Sequence, residues 1–270
     1  MNTAILSHNR FSDILRQWRR GVGVSQLELA LRSGSSQKHI SFLESGRSNP
    51  SRMMIVALSD ALDIPLRDRN ELMLAAGFAP RYNESSLTDP ELAPVQQAVD
   101  QILEGQMPYP VLVFDRFHNS LAANGNAIKF LAWLFDTDDL ANVPIASNVV
   151  RGLLHPDGYR RHISNWELVA SIMLRRLRAE TLATGPTTHS EELFKEVSEY
   201  GGIPADWRTQ GEDSWRLPML TINVKKDGQA FSLFSTLTSL GAAFDVTLQE
   251  IRIESFFPAD EAAKAFFEQL

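Results

Sequence analysis

Along the first eighty positions the apolar residues recur at helical spacing. In FSDILRQWRRG, Phe11, Ile14, Leu15 and Trp18 fall on one helix face, and Gly21 and Gly23 then stop the run. Ser25 precedes QLELALR with Glu28 three residues on, a capping-box pattern, and Ser33-Gly34 breaks that segment. Ser35 or Ser36 caps QKHISFLE, which closes at Gly46, a residue suited to a left-handed cap. SRMMIVALSDALDI and LRDRNELMLAAG predict a fourth and a fifth helix, separated near Pro65. Two helices joined by a tight glycine-containing turn make a helix-turn-helix.

Beyond Gly77 the pattern changes. GFAPRYNESSLTDPELAP concentrates Pro80, Pro90 and Pro94 among small polar residues and reads as a linker, giving a first domain over 1–80, a linker over 81–94 and a second domain over 95–270. VQQAVDQILEG predicts a helix, YPVLVFDRFHNSLAAN a hairpin turning around Asp115 to Asn119, and NAIKFLAWLF another helix. GYRRHISNWELVASIMLRRLRAET predicts one long helix, with Tyr159, Ile163, Trp166, Ala170, Met173 and Leu177 as its buried stripe. After the helical HSEELFKEVSEYGG come strands in LPMLTINV, QAFSLFSTLTSLG and FDVTLQEIRIESFFP, the first two joined by a KKDG turn, and a last short helix, DEAAKAFFEQL. The expected fold is an all-α helix-turn-helix domain followed by an α+β domain, with an antiparallel sheet of about five strands and helices grouped on one side.

The net charge of −7 argues against a nucleic-acid binder until it is divided. Residues 1–82 hold 11 Lys/Arg and 7 Asp/Glu, a net of +4, and the remainder hold 15 and 26, a net of −11. A basic head on an acidic body is compatible with DNA binding confined to the head, because phosphate attraction is screened beyond about 8 Å at physiological salt. The absence of cysteine excludes disulfides, thiolate metal sites and cysteine nucleophiles. No apolar run approaches the roughly 20 residues of a membrane span, and the N-terminus lacks a signal-peptide layout, so a cytoplasmic location is expected.

In a helix-turn-helix the second helix lies in the major groove. Ile40 and Leu43 must point inward, which turns Gln37, Lys38, Ser41 and Phe42 outward with Ser36 at the helix start. Gln pairs with adenine, Lys donates to guanine, and Phe42 suits a thymine methyl. Gln26, Arg47 and Asn49 are the expected phosphate contacts. SQLELALRSGSSQKHISFLESGRSNPS resembles the phage-repressor (XRE, Cro/C1-type) helix-turn-helix family over roughly residues 11–76, with SQ, LA, I..LE.G and a proline as landmarks. The resemblance implies that Arg19 pairs with Glu44 and ties the first helix to the recognition helix.

The likeness extends further. ELMLAAGFAPRY, YPVLVFDRFHNSLAANGNAIKFL, LLHPDGYRRHISNWELVASIMLRRLRAET and VTLQEIRIESFFPAD resemble the MmyB-like regulators, in which an XRE head precedes a PAS-like ligand-binding domain. This implies a PAS-like body, a homodimer, and a small apolar molecule between sheet and helices. A fatty acid or similar ligand is the expected occupant, with no cofactor required. The apolar lining candidates are Phe114, Trp133, Trp166, Met173, Phe231 and Leu237. Asn124, His155, Arg160 and Asn165 are candidates to meet its polar head, the last three from the unusual stretch HPDGYRRHISNW.

Enzyme chemistry finds little purchase. His155 and His162 lack a third metal ligand, Asp136, Asp138 and Asp139 read as a solvated loop, and His189-Ser190 has no nucleophile setting. A haem ligand among His118, His155 or His162 is not singled out. The leading expectation is a ligand-responsive regulator binding double-stranded DNA as a homodimer on a palindromic operator. Its competitors are an interaction module with a non-binding helix-turn-helix and an enzyme with an appended DNA-binding head.

Overall fold

The computed structural model describes residues 3–183, 188–209, 219–241 and 243–270. The chain divides into two compact units. The first takes Met1–Ser85 with Glu180–Thr187 and Gly241–Gln249, and the second takes Ser86–Ala179, Thr188–Leu240 and Glu250–Leu270.

Among the described residues, the Met1–Ser85 part of the first unit holds five helices: α1 (Thr3–Gly21), α2 (Gln26–Arg32), α3 (Gln37–Glu44), α4 (Arg52–Ala61) and α5 (Leu66–Ala75). α1 begins ahead of the Phe11 stripe that predicts it. The caps fall where the serines place them: Ser25, Ser36 and Ser51 accept from the backbone N–H of Glu28, His39 and Met54 at 3.0, 3.2 and 3.2 Å. The capping box is half made, since the Glu28 carboxylate takes Arg32 instead of turning back to its cap. Gly34, in the turn between α2 and α3, and Gly46, just past α3, have φ of 67° and 70°, the left-handed region glycine enters without strain. Phe11, Leu15, Leu29, Ile40, Leu43 and Ile55 are buried together as the unit's core.

The rest of the chain carries α6 (Ala93–Gly105), β1 (Val111–Phe114), β2 (Ser120–Ala123), α7 (Gly125–Phe135), α8 (Val149–Leu154), α9 (Trp166–Ala183), α10 (Thr188–Ser198), β3 (Ile222–Lys226), β4 (Gln229–Ser239), α11 (Val246–Glu250), β5 (Arg252–Pro258) and α12 (Glu261–Gln269), which belong to the second unit except for the end of α9 and all of α11 but Glu250. The strands form one antiparallel sheet in the order β2-β1-β5-β4-β3. The β1–β2 turn is organised by Asp115, whose Oδ1 accepts from the N–H of Phe117 and of Asn119, each at 2.8 Å. Asp227-Gly228 closes β3–β4 with φ of 50° and 78°, the two-residue turn whose twist matches the flanking strands. The α+β, PAS-like expectation with an antiparallel sheet therefore holds.

Two elements differ from the pattern. The long helix over 158–181 is broken: Tyr159–His162 is a separate 3-10 turn and α9 starts at Trp166. The cause is the sheet, because Ile163 bridges to Val224, Ser164 N–H donates to the Asn223 carbonyl at 2.8 Å, and Asn165 pairs with Thr221 and Asn223. These bonds pull the backbone out of helix despite its periodic stripe. Likewise FDVTLQEIRIESFFP becomes a strand only from Arg252, the preceding Val246–Glu250 being α11. The start of the LPMLTINV prediction, Leu217 and Pro218, and the side chain of His189 lie outside the described residues.

Side chains also tie the stretch after α5 into the first unit. Asn70 Oδ1 accepts from the N–H of Arg81 and Tyr82 at 3.0 and 3.1 Å. Ser85 donates to Asp245 Oδ2 through N–H and Oγ at 3.2 and 2.8 Å, and Val246 N–H donates to the Asn83 carbonyl at 2.8 Å. Pro65 offers α5 no side-chain cap, and Gln249 Oε1 takes the orphan N–H of Leu66 at 2.7 Å. Residues 81–85, which the sequence assigns to the start of a linker, are thus bonded to α5 and to residues 245–246 of the same unit.

Candidate DNA-reading face and ligand cavity

α3 is amphipathic with a sharp division. Ile40, Leu43 and Glu44 are buried, while Gln37 and Lys38 are exposed at its start. Ser41 and Phe42 are half-buried, and Arg47 and Asn49 are exposed just beyond. Lys38 Nζ and the Arg47 guanidinium sit 5.6 and 6.0 Å from the Phe42 ring centroid, so two cations flank one aromatic on the outer face. Ser36 is committed to capping α3. Gln26, expected at a phosphate, spends its amide on Glu44 Oε2 at 2.9 Å.

Glu44 is the hub that holds this face. Arg19 grips it with Nε to Oε1 at 2.5 Å and Nη2 to Oε2 at 2.9 Å, and the two side chains are only 12% and 3% exposed. Arg16 adds a bond to the Glu44 carbonyl and Ser12 Oγ donates to that of Leu43 at 2.7 Å. Burial disfavours the Glu44 anion, but the hydrogen bonds from Arg19 and Gln26 and the charges of Arg19 and Arg16 outweigh it and hold the carboxyl below its usual range. The same contact raises the Arg19 guanidinium against its own desolvation. α1 and α3 are thereby locked at the base of the exposed face.

In the second unit the ten expected ligand residues do not gather at one site. Met173 alone lines the cavity described below. Phe114 is buried against the His118 ring, and Trp133 and Phe231 belong to an aromatic cluster with Phe266, their own centroids 6.2 Å apart. Asn124 caps α7 and spends its amide on Leu103 and Tyr109 carbonyls. His155 accepts from Asp157 N–H, Arg160 lies over Trp166, and the Trp166 indole donates to the Gly202 carbonyl. Asn165 is spent on β3, and Leu237 is exposed. The HPDGYRRHISNW stretch is unusual because it breaks a helix against the sheet.

The cavity sits between the inner face of the sheet and helices α7, α8 and α9. It leaves about 50 Å³ for the centres of water-sized molecules, against the roughly 10–15 Å³ that one water needs. Leu112, Phe130, Leu153, Ile222, Leu233 and Phe256 dominate its wall. Among the described residues, Tyr159 and Glu254 bring polar side chains to it. Glu254 is buried, and burial pushes its carboxyl up, against the opposing pull of the Ser235 hydrogen bond and the charges of Arg176 and His118. Ser235 Oγ donates to Oε1 at 2.7 Å. Burial, reinforced by Glu254, also raises the Tyr159 hydroxyl far above its usual value.

Sequence reasoning missed both polar groups, though a signal existed. On β5, Glu254 has the same parity as Phe256 and pairs laterally with Leu112 and Leu237, so alternation places a carboxylate on the face of a cavity-lining phenylalanine. Among the described residues no group of His, Asp and Glu could hold a metal ion, and no helix is long and apolar enough to cross a membrane.

Comparison with protein families gives two matches. Residues 95–270, well over half of the chain, match the MmyB-like transcription regulator ligand binding domain, and residues 15–68 match the helix-turn-helix family. No curated protein matches.

Proposed function

The chain belongs to the MmyB-like transcription regulators, and on that premise we propose that it binds a palindromic DNA operator as a homodimer and changes its hold on it when the body takes up a small apolar molecule. The coarse assignment, a transcription regulator with a helix-turn-helix and a ligand-binding domain, follows from membership. The finer reading is carried by the exposed face of α3: Gln37 and Lys38 for base edges, Arg47 and Asn49 for phosphates, on a helix clamped from behind by Arg19 and Glu44.

A single such face covers few base pairs, so useful specificity calls for two heads on half-sites about one helical turn apart. The ligand is read as fatty-acid-like in its apolar body, from a wall with two polar side chains. Chain connectivity suggests the link to the head. β5 carries Glu254 and Phe256 at the cavity, and the residues just before it, Asp245 to Gln249, are bonded to Ser85, Asn83 and Leu66 of the first unit. A ligand that displaces β5 acts directly on those bonds, and shifts DNA affinity only by its difference in affinity for the two arrangements. The protein works in the cytoplasm on this reading.

Enrichment of sequences from a random duplex pool, followed by affinity measurements over a salt series, tests it. Selective binding whose log K falls linearly with log salt supports the reading, and binding without sequence preference overturns it.

A further inference from the structure

Arg116, in the β1–β2 turn, donates from Nη1 to Glu250 Oε1 at 3.0 Å, and the two side chains are only 7% and 10% exposed. An ion pair so enclosed holds its two elements together, because parting them would leave either charge buried without the other. On the Arg116 side the turn is fastened to the cavity wall. Asn148 Nδ2 donates to the Phe117 carbonyl at 2.8 Å and Val149 N–H to the His118 carbonyl at 2.9 Å, and Val149 lines the cavity. On the other side Glu250 ends α11, and the chain runs on through β5 to Glu254 and Phe256 of the same wall. Two routes from the cavity thus converge on Glu250. α11 itself is one short helical turn, closed by the bonds from Thr247 N–H to Asp245 Oδ1 at 2.9 Å and from Gln249 N–H to the Asp245 carbonyl at 3.1 Å, so its residues move together. Its start is bonded to Ser85 and Asn83, and Gln249 takes the Leu66 N–H that opens α5. α5 in turn buries Leu72 and Met73 in the core that holds Leu15 of α1 and Ile40 and Leu43 of α3.

We infer that the Arg116–Glu250 pair is the latch that passes the state of the cavity to the DNA-reading face, with Gln249 as its output. The inference rests on the ligand-responsive reading and assigns the residues that carry the response. All three are positioning residues, acting through α11 and α5 and not on DNA or ligand. A ligand that moves α8 relative to β5 pulls on the pair from both sides, because Arg116 follows the turn held by Val149 while Glu250 follows β5. Glu250 and Gln249 are neighbours in one helical turn, so a displaced Glu250 carries the acceptor of Leu66 N–H with it. The latch thereby makes the two arrangements of the body differ in their hold on α5, which is the difference a ligand needs to shift DNA affinity.

Dodecanoate serves as the probe, titrated by calorimetry into the full-length protein, with affinity for an enriched duplex followed by fluorescence anisotropy in its presence and absence. The wild type is expected to change its duplex affinity at least about fivefold on saturation. Two variants test the latch: Arg116→Met/Glu250→Met, which removes both charges and strands neither, and Gln249→Ala, which removes only the output. Each is expected to bind dodecanoate, and the duplex without it, within about threefold of the wild type, while the change on saturation falls below about twofold. A response that survives in either variant overturns the latch and leaves the ligand-responsive reading standing. Loss of duplex binding in the absence of dodecanoate gives these residues a purely structural part and overturns the latch as well. A wild type that fails to bind dodecanoate, or binds it without change in duplex affinity, overturns both. Should the double variant not fold, Gln249→Ala alone decides.

Discussion

Replacing Glu44 with methionine takes one carboxylate out of a nearly closed site. The variant loses the two-pronged bond from Arg19 and the bond from Gln26, and it leaves the guanidinium of a side chain only 12% exposed without its counter-charge. Breaking a buried pair by removing one partner costs about 3–5 kcal/mol, so a loss of about 3 kcal/mol is expected. At the roughly 0.05–0.15 kcal/mol per residue typical of small domains, that is a large share of the first unit's stability. It corresponds to a fall of about 12 °C or more in the melting temperature of that unit. Scanning calorimetry on the full-length protein, with urea unfolding followed by circular dichroism, measures it. The double variant Arg19→Met/Glu44→Met removes both charges and should recover part of the loss, a coupling of about 1.5 kcal/mol or more. pH gives an independent check. Because the folded state depresses the Glu44 carboxyl, its stabilisation is present above the ordinary carboxylate value of about 4.3 and is lost as pH falls through the lower folded value, a dependence Glu44→Gln should lack. A loss below about 1 kcal/mol, or additive single variants, refutes the clamp.

Asn124→Ala removes the cap of α7 and strands two carbonyls and the Val111 N–H, so urea unfolding should show a loss of about 3 kcal/mol in the second unit. Gly158→Ala places a Cβ 2.1 Å from the Gly152 carbonyl oxygen, a contact with backbone that cannot swing away, and should lower the melting temperature of that unit with a cost of about 3 kcal/mol. For Glu254 the sign is opposite to that of Glu44. A folded carboxyl that holds its proton more tightly than the unfolded one makes the second unit less stable as pH rises above the ordinary carboxylate range, and Glu254→Gln should flatten that slope in calorimetric scans between pH 4 and 8.

The first unit was legible because its signals are local. Serine caps, Gly34 and Gly46 and apolar spacing mark its helices within a few residues, and the family likeness places Arg19 against Glu44. Gln26 shows the limit, since a side chain at a helix start serves a phosphate or a neighbouring carboxylate equally well in sequence. In the second unit the sheet overrides periodicity. Ile163 and Asn165 leave the helix their spacing predicts because β3, some sixty residues on, takes their backbone and side-chain bonds. Rarity and size mark candidate ligand residues in a sequence, and here most of those side chains are spent on caps, stacking and core, while Met173 lines the cavity and Leu237 is exposed. Glu254 is a single charge in a strand, and such a charge reads as solvent-facing until its register with Leu112 is known.

The central claim is that the exposed start of α3 reads sequence. A duplex enriched from a random pool, with its affinity followed over salt for the wild type, Lys38→Ala and Arg47→Ala, tests this most directly. The expected result is a palindrome with half-sites about one helical turn apart. Arg47→Ala should weaken all sequences alike and reduce the salt slope by about one, and Lys38→Ala should relax preference at one position per half-site. Equal affinity for enriched and random duplexes, unchanged by either substitution, would contradict it.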